Sequence, residues 1–144
     1  FLGAVERNGR RLVLVIGGAP SEAARASAAR ALAEWGYSAW DSRPLVSKGR
    51  IVGSASVQGG SSRAVGLVPL RDWRLAVPRG SNPRITTRIV YRGPLQAPLE
   101  PGQVVAGLQV SIAGLPAHDI PLATRQRVTR AGPFDRMVNG LLGL

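Results

Sequence analysis

No cysteine occurs among the 144 residues, which excludes disulfides and thiolate metal sites and leaves the redox compartment undecided. There is one histidine, His118, and with no cysteine beside it no zinc-type ligand set forms. Lysine is reduced to Lys48. Aromatic residues make up 5%, so a core has to come from Val, Leu, Ile and Ala. Long hydrophobic runs are missing: the longest, Leu12 to Ile16, is far short of the roughly 20 residues a membrane-spanning helix needs. No signal peptide is visible, and the chain starts at Phe1 without methionine, so a processed or cut product is expected.

What the sequence does have is turns and positive charge. Gly 18 and Pro 11 favour a β-rich architecture over a helical bundle, and a length of 144 fits one domain or one small domain plus a fragment. The net charge is +11, carried almost wholly by arginine. Residues 1 to 40 hold five Arg and three Glu, whereas residues 41 to 144 hold fourteen basic and five acidic residues. Such a balance favours anionic partners and says nothing about fold.

Asn8-Gly9 lies between two β-rich runs, the strongest short hairpin signal because both positions accept positive φ. Leu12-Val13-Leu14-Val15-Ile16 is continuously apolar, the pattern of a strand covered on both faces, and one hairpin cannot supply that cover. After Gly17-Gly18-Ala19-Pro20, Ser21 reads as an N-cap with Glu22 in the first turn. Ala24, Ala28, Ala31, Leu32 and Trp35 fall at helical spacing, and Gly36 is expected to end the helix at C′.

From Arg43 onward, short strands alternate with turns: Pro44 to Val46, Ile51 to Val57, Ala64 to Leu70, Trp73 to Val77, Ile85 to Tyr91, Val104 to Ile112 and Ala117 to Leu122. Beyond Gly132-Pro133, the residues Phe134, Met137, Val138, Leu141 and Leu142 repeat at i, i+3, i+4, i+7 and i+8, with Leu144 behind them. That pattern predicts a short amphipathic helix able to lie in a membrane surface, and Arg125, Arg127, Arg130 and Arg136 would meet anionic headgroups beside it.

Two segments carry a resemblance: Val77-Pro78-Arg79-Gly80, and GPLQAPLEPGQVVAGLQV at residues 93 to 110. In this order, after a hairpin and helix and before the exit strand IPLATRQRVTR, they resemble the C-terminal β domain of the serine D-alanyl-D-alanine carboxypeptidases, the low-molecular-mass penicillin-binding proteins. The resemblance implies a mainly β fold. Residues 1–40 would be the last hairpin and helix of an incomplete transpeptidase-type α/β domain, 41–131 a small antiparallel β-sandwich, and 132–144 the membrane-surface helix. It implies a parent enzyme that trims peptidoglycan pentapeptides through an acyl-serine, placed in the periplasm and peripheral on the cytoplasmic membrane. The partners implied are the rest of the catalytic domain upstream of Phe1, the inner-membrane surface and, through the parent, peptidoglycan.

The family's catalytic motifs are not on this chain. S-x-x-K is absent because residue 45, three before Lys48, is leucine; K-T-G is absent because Lys48 precedes Gly49; S-x-N is absent because Glu6, Gly80 and Met137 precede the asparagines by two. Spacer and anchor are the roles expected of this chain, and alone it is expected to be inactive.

No cofactor and no metal are expected. His118 and Asp119 are neighbours on a strand, point to opposite faces and form no catalytic pair. Gly17-Gly18 and Gly59-Gly60 match no phosphate-binding pattern and read as turns. Arg71, Arg74, Arg79, Arg84, Arg88 and Arg92 interleave with Trp73 and Tyr91, but without a nucleic-acid-binding signature they read as a solvated basic face. The competing function is a stand-alone basic β module that binds cell-wall polymer, protein or nucleic acid.

Overall fold

The computed structural model describes residues 1–114 and 116–132. Its elements run β1 (Leu2–Arg7), β2 (Arg10–Val15), α1 (Glu22–Ser38), β3 (Trp40–Val46), β4 (Gly53–Gln58), β5 (Ala64–Pro69), β6 (Trp73–Pro78), β7 (Ile85–Tyr91), β8 (Leu95–Gln96), β9 (Val104–Ile112) and β10 (His118–Thr124). The fold is mainly β with one helix among the described residues, as expected. The amphipathic helix expected after residue 132 lies outside them.

The chain divides into two compact units. The first comprises Phe1–Arg43 and Ala76–Asn82, the second Pro44–Leu75 and the residues from Pro83 on. The first unit thus takes in a segment that a division at residue 40 assigns to the β-sandwich. β3 and β6 form a two-stranded sheet, and each passes from one unit into the other.

In the first unit β1 and β2 pair antiparallel from Leu2↔Val15 to Arg7↔Arg10. The turn between them is made possible by Asn8 at φ 51 and Gly9 at φ 73, left-handed values that these two residues tolerate best. Alternation turns Leu12 and Leu14 toward α1 and leaves Val13 and Val15 on the other face, 64% and 73% exposed. The continuous apolar run is therefore covered on one face only by the described residues.

Ser21 caps α1 by accepting the Ala24 N–H at 3.1 Å, as its position suggests. Two expectations for this helix are corrected. Gly36 is not the C′ residue: α1 continues to Ser38, with Ala39 as cap, its N–H donating to the Trp35 carbonyl. The reason for glycine there is close approach, since a Cβ at Gly36 would sit 2.8 Å from Leu12 Cδ1. The buried face is also rotated from the one expected: Ala33 and Gly36 are buried, whereas Leu32 and Trp35 are 37% and 56% exposed. Small residues let the helix backbone lie close to the hairpin, and the large ones are left on its flank.

The second unit is built on a sheet in the order β7-β9-β10-β5-β4-β8. All its pairings are antiparallel except β4 with β8, which is parallel at Val57↔Leu95 and Gln58↔Gln96. Period-two alternation points Leu108 and Val110, Ile120 and Leu122, Val65 and Leu67, and Ala55 and Val57 to one side, and these eight residues, all under 9% exposed, form most of the core. Leu95 of β8, with Leu99 and Val128 from the connecting segments, plugs the same core.

Candidate functional site

The segment 93–110 is anchored at both ends of its first half. Gly93-Pro94 and Ala97-Pro98 are cis peptides, and between and after them Leu95 and Leu99 enter the core. Leu99 exchanges backbone hydrogen bonds with Val128 at 2.9 and 3.0 Å. Pro101-Gly102 turns the chain, with Gly102 at φ 79, and the Gly102 N–H reaches the Thr124 carbonyl at 2.8 Å. Buried Thr124 donates its hydroxyl hydrogen to the Glu100 carbonyl, which satisfies that side chain. These residues build a rigid corner. They hold no nucleophile beside a base.

The other signature, Val77-Pro78-Arg79-Gly80, ties the first unit together. The Arg79 N–H donates to the Ala39 carbonyl at 2.8 Å, its guanidinium reaches the Tyr37 carbonyl at 3.2 Å and pairs with Asp41 at 3.4 Å. Arg43 reaches the Ser81 carbonyl at 2.9 Å from the neighbouring strand. A second polar lock joins hairpin and helix. Tyr37 Oη lies 3.0 Å from the Val5 carbonyl and 3.1 Å from that of Arg10, with Arg7 4.6 Å above its ring. Arg7 grips both carboxylate oxygens of Glu34 at 3.2 and 2.5 Å, and that hydrogen bonding, followed by the arginine charge, holds the Glu34 carboxyl below the usual range. Arg10 donates to the Gly36 and Trp40 carbonyls at 2.8 and 2.7 Å. The second lock is announced by no motif. The only sequence signal is an arginine-glutamate pair too far apart to read.

Two clefts flank the helix of the first unit. One, of about 370 Å³, lies between Val5, Arg7, Ala29 and Tyr37; the other, of about 390 Å³, is lined by Leu12, Val13, Leu32, Trp35 and Trp40. Trp35 and Trp40 meet edge to face at 6.4 Å. Both clefts are mainly apolar, and only the second reaches a residue of the uncovered hairpin face, Val13. On that face Leu2 is also 71% exposed.

In the second unit His118 faces Trp73 edge-on at 5.7 Å, and Arg71 covers the same indole at 4.2 Å. His118 pairs with Val110 and Asp119 with Gln109, so the two neighbours alternate in face. Of the residues expected to meet anionic headgroups, Arg125, Arg127 and Arg130 are exposed just after β10. Arg127 is engaged by Glu100 at 2.7 Å. Arg136 and the expected anchor residues Phe134, Met137, Val138, Leu141, Leu142 and Leu144 lie outside the described residues. Among the described residues no helix is long and apolar enough to cross a membrane, and no three His, Cys, Asp or Glu side chains gather where a metal ion could sit.

Residues 40–130, which hold both signature segments, match the family model described as Penicillin-binding protein 5, C-terminal domain. The chain belongs to this family. Curated relatives of this penicillin-binding protein 5 C-terminal domain chain include the D-alanyl-D-alanine carboxypeptidase DacD of Salmonella typhimurium, 30% identical over 129 residues, covering 89% of this chain and 33% of the relative. The D-alanyl-D-alanine carboxypeptidase DacA of Haemophilus influenzae is 26% identical over 140 residues, covering 96% of this chain and 36% of that one. The chain therefore spans about a third of the length of the relatives it matches. Penicillin binding protein 5 from Haemophilus influenzae shares the fold with a TM-score of 0.75 at 23% identity, covering 90% of this chain and 38% of that one. A peptidoglycan synthesis regulatory factor, PBP3, from Streptococcus pneumoniae does so at 0.73 and 22%, covering 89% and 39%. Residues 40–130 are thus a penicillin-binding protein 5 C-terminal domain, in a chain similar to about a third of these D-alanyl-D-alanine carboxypeptidases.

Proposed function

We propose that this chain is the C-terminal portion of a serine D-alanyl-D-alanine carboxypeptidase and serves it as spacer and anchor. The parent releases the terminal D-alanine of peptidoglycan pentapeptides through an acyl-serine, and the reacting groups lie upstream of Phe1. The observation that carries this reading is the reach of the likeness. A match over 140 residues takes in the hairpin and helix before residue 40 as well as the β domain. The uncovered apolar face of Leu2, Val13 and Val15 supports it, because a two-stranded hairpin with such a face is marginal until further strands or helices cover it. In this reading those strands belong to the rest of the catalytic domain.

As a spacer the β domain works through length and stiffness. β9 alone spans about 30 Å at the usual rise per residue, and its corner at residues 99–103 is fixed by the Leu99, Gly102 and Thr124 hydrogen bonds. The domain would hold the catalytic centre off the periplasmic face of the cytoplasmic membrane, toward the cell wall. Phe134, Met137, Val138, Leu141, Leu142 and Leu144 would insert at the surface. Arg125, Arg130 and Arg136 would add about 1 kcal/mol each from anionic lipid, and Arg127 less because Glu100 already holds it.

The test is sedimentation of the full-length parent with anionic vesicles. Deleting residues 134–144 is expected to move the protein to the supernatant while D-alanine release from a soluble pentapeptide continues. Unchanged sedimentation would remove the anchor, and a parent without carboxypeptidase activity would remove the enzyme reading.

A further inference from the structure

β7 forms one edge of the six-stranded sheet. Its inner side pairs with β9 from Ile85↔Ile112 to Tyr91↔Ala106, and no described strand pairs with its outer side. The two halves of that edge differ. At Ile89 and Tyr91 the strand leans over β4: Ile89 Cδ1 occupies the place a Cβ of Gly53 would take, and the Ser56 N–H donates to Tyr91 Oη at 3.3 Å. At Ile85, Thr86, Thr87 and Arg88 every residue is exposed, including those whose side chains point inward. A free edge made of β-branched residues, without proline or lysine, is a template for another strand.

Charge selects what can pair there. Arg84, Arg88 and Arg92 are four residues apart, so in extended chain they share one face at intervals of about 13 Å. All three are exposed, and none forms an ion pair with a described residue. The nearest carboxylate position on that face, Asp119, is separated from Arg88 by Gln109 on β9. A second copy of β7 fits badly: centred antiparallel pairing sets Arg88 against Arg88 and Arg84 against Arg92, and like charges opposed across strands are destabilising. An extended segment with carboxylates four residues apart matches both the open backbone groups and the arginine spacing.

We propose that the open half of β7, Ile85–Arg88, is a strand-addition site for an extended acidic segment of a partner protein, with Arg84 and Arg88 pairing its carboxylates. Beyond Arg88 the partner would run toward the shallow apolar cleft of about 490 Å³ between Val90, Tyr91, Arg92, Leu95 and Val105, which suits an aliphatic side chain.

The experiment titrates the full chain with a nine-residue peptide, Glu-Val-Thr-Val-Glu-Val-Thr-Val-Glu, following binding by calorimetry and β7 amides by hydrogen exchange. Binding is expected together with slowed exchange at Ile85–Arg88. N-methylation of alternate peptide amides, on whichever edge faces β7, is expected to abolish it while leaving the charge intact. Arg88→Glu should weaken binding by about ten-fold or more, with its folding checked by an unchanged melt. The proposal is overturned if both N-methylated forms bind as well as the parent peptide. It is likewise overturned if inorganic polyphosphate of equal charge binds equally tightly at the same residues, which would make this an anionic-polymer surface. Absence of peptide binding overturns it too.

Discussion

Single residues decide how the first unit answers acid. The Glu34 carboxyl is held low in the folded chain by the Arg7 hydrogen bonds, with the arginine charge second. A carboxyl with a depressed folded pKa contributes stability that is fully present above its unfolded pKa and disappears as pH falls through the folded one. The pair is exposed, so its contribution is small and screened by salt. The expected outcome is that Glu34→Gln loses little at neutral pH and shows a shallower fall of stability through the acid range than the unsubstituted protein. Urea melts at a series of pH values read this directly, and parallel curves would mean the pair contributes nothing. Tyr91 is shifted the same way, because the backbone N–H of Ser56 donates to its oxygen and favours the phenolate. Its contribution belongs to the alkaline limb, rising as pH passes upward through the folded pKa.

At the scale of elements, one buried hydroxyl adds to the backbone bonds that hold the segment between β7 and β9. Thr124 is 1% exposed and links the end of β10 to the Glu100 carbonyl. Thr124→Val keeps the shape and removes the donor, so it should cost about 1 kcal/mol, the Gln103 N–H remaining on the same carbonyl. A denaturant midpoint that does not move would show the corner to be held by Leu95 and Leu99 alone. Most elements here were legible because their signals are local. Asn8-Gly9 fixes the hairpin, Ser21 the helix start, and alternation in Val104–Ile112 the longest strand. The two-residue β8 was missed because Leu95-Gln96 has no periodicity to read and becomes a strand only through β4. Gly36 was misjudged because glycine at a helix end and glycine under a leucine look identical in sequence. The arginines of β7 were visible as a solvated face, but not as a free edge, which depends on the order of the sheet.

At the scale of the molecule, the described hairpin and helix flank expose several large apolar side chains close together. Leu2, Val13, Val15 and Trp35 are each more than half exposed. If they meet the rest of a catalytic domain, a charge there will act on the enzyme and not on the β domain. Val13→Asp in the full-length parent is expected to lower acylation by penicillin at least about ten-fold, since burying an unpaired carboxylate costs several kcal/mol. The hydrogen-exchange protection of β9 and β10 should stay the same. Full acylation by the variant would place that face in solvent and favour the separate binding module.

The division of the chain sets a rule for its biosynthesis. The first unit ends at Arg43 only to be completed by Ala76–Asn82, whose Arg79 pairs with Asp41 and whose backbone bonds to Ala39. A ribosome therefore delivers Pro44–Leu75 of the second unit before it delivers the last piece of the first. Until then helix α1 lacks the bonds that Arg79 makes to Tyr37, Ala39 and Asp41, and a nascent chain stalled before residue 76 would leave its C-terminal end untied.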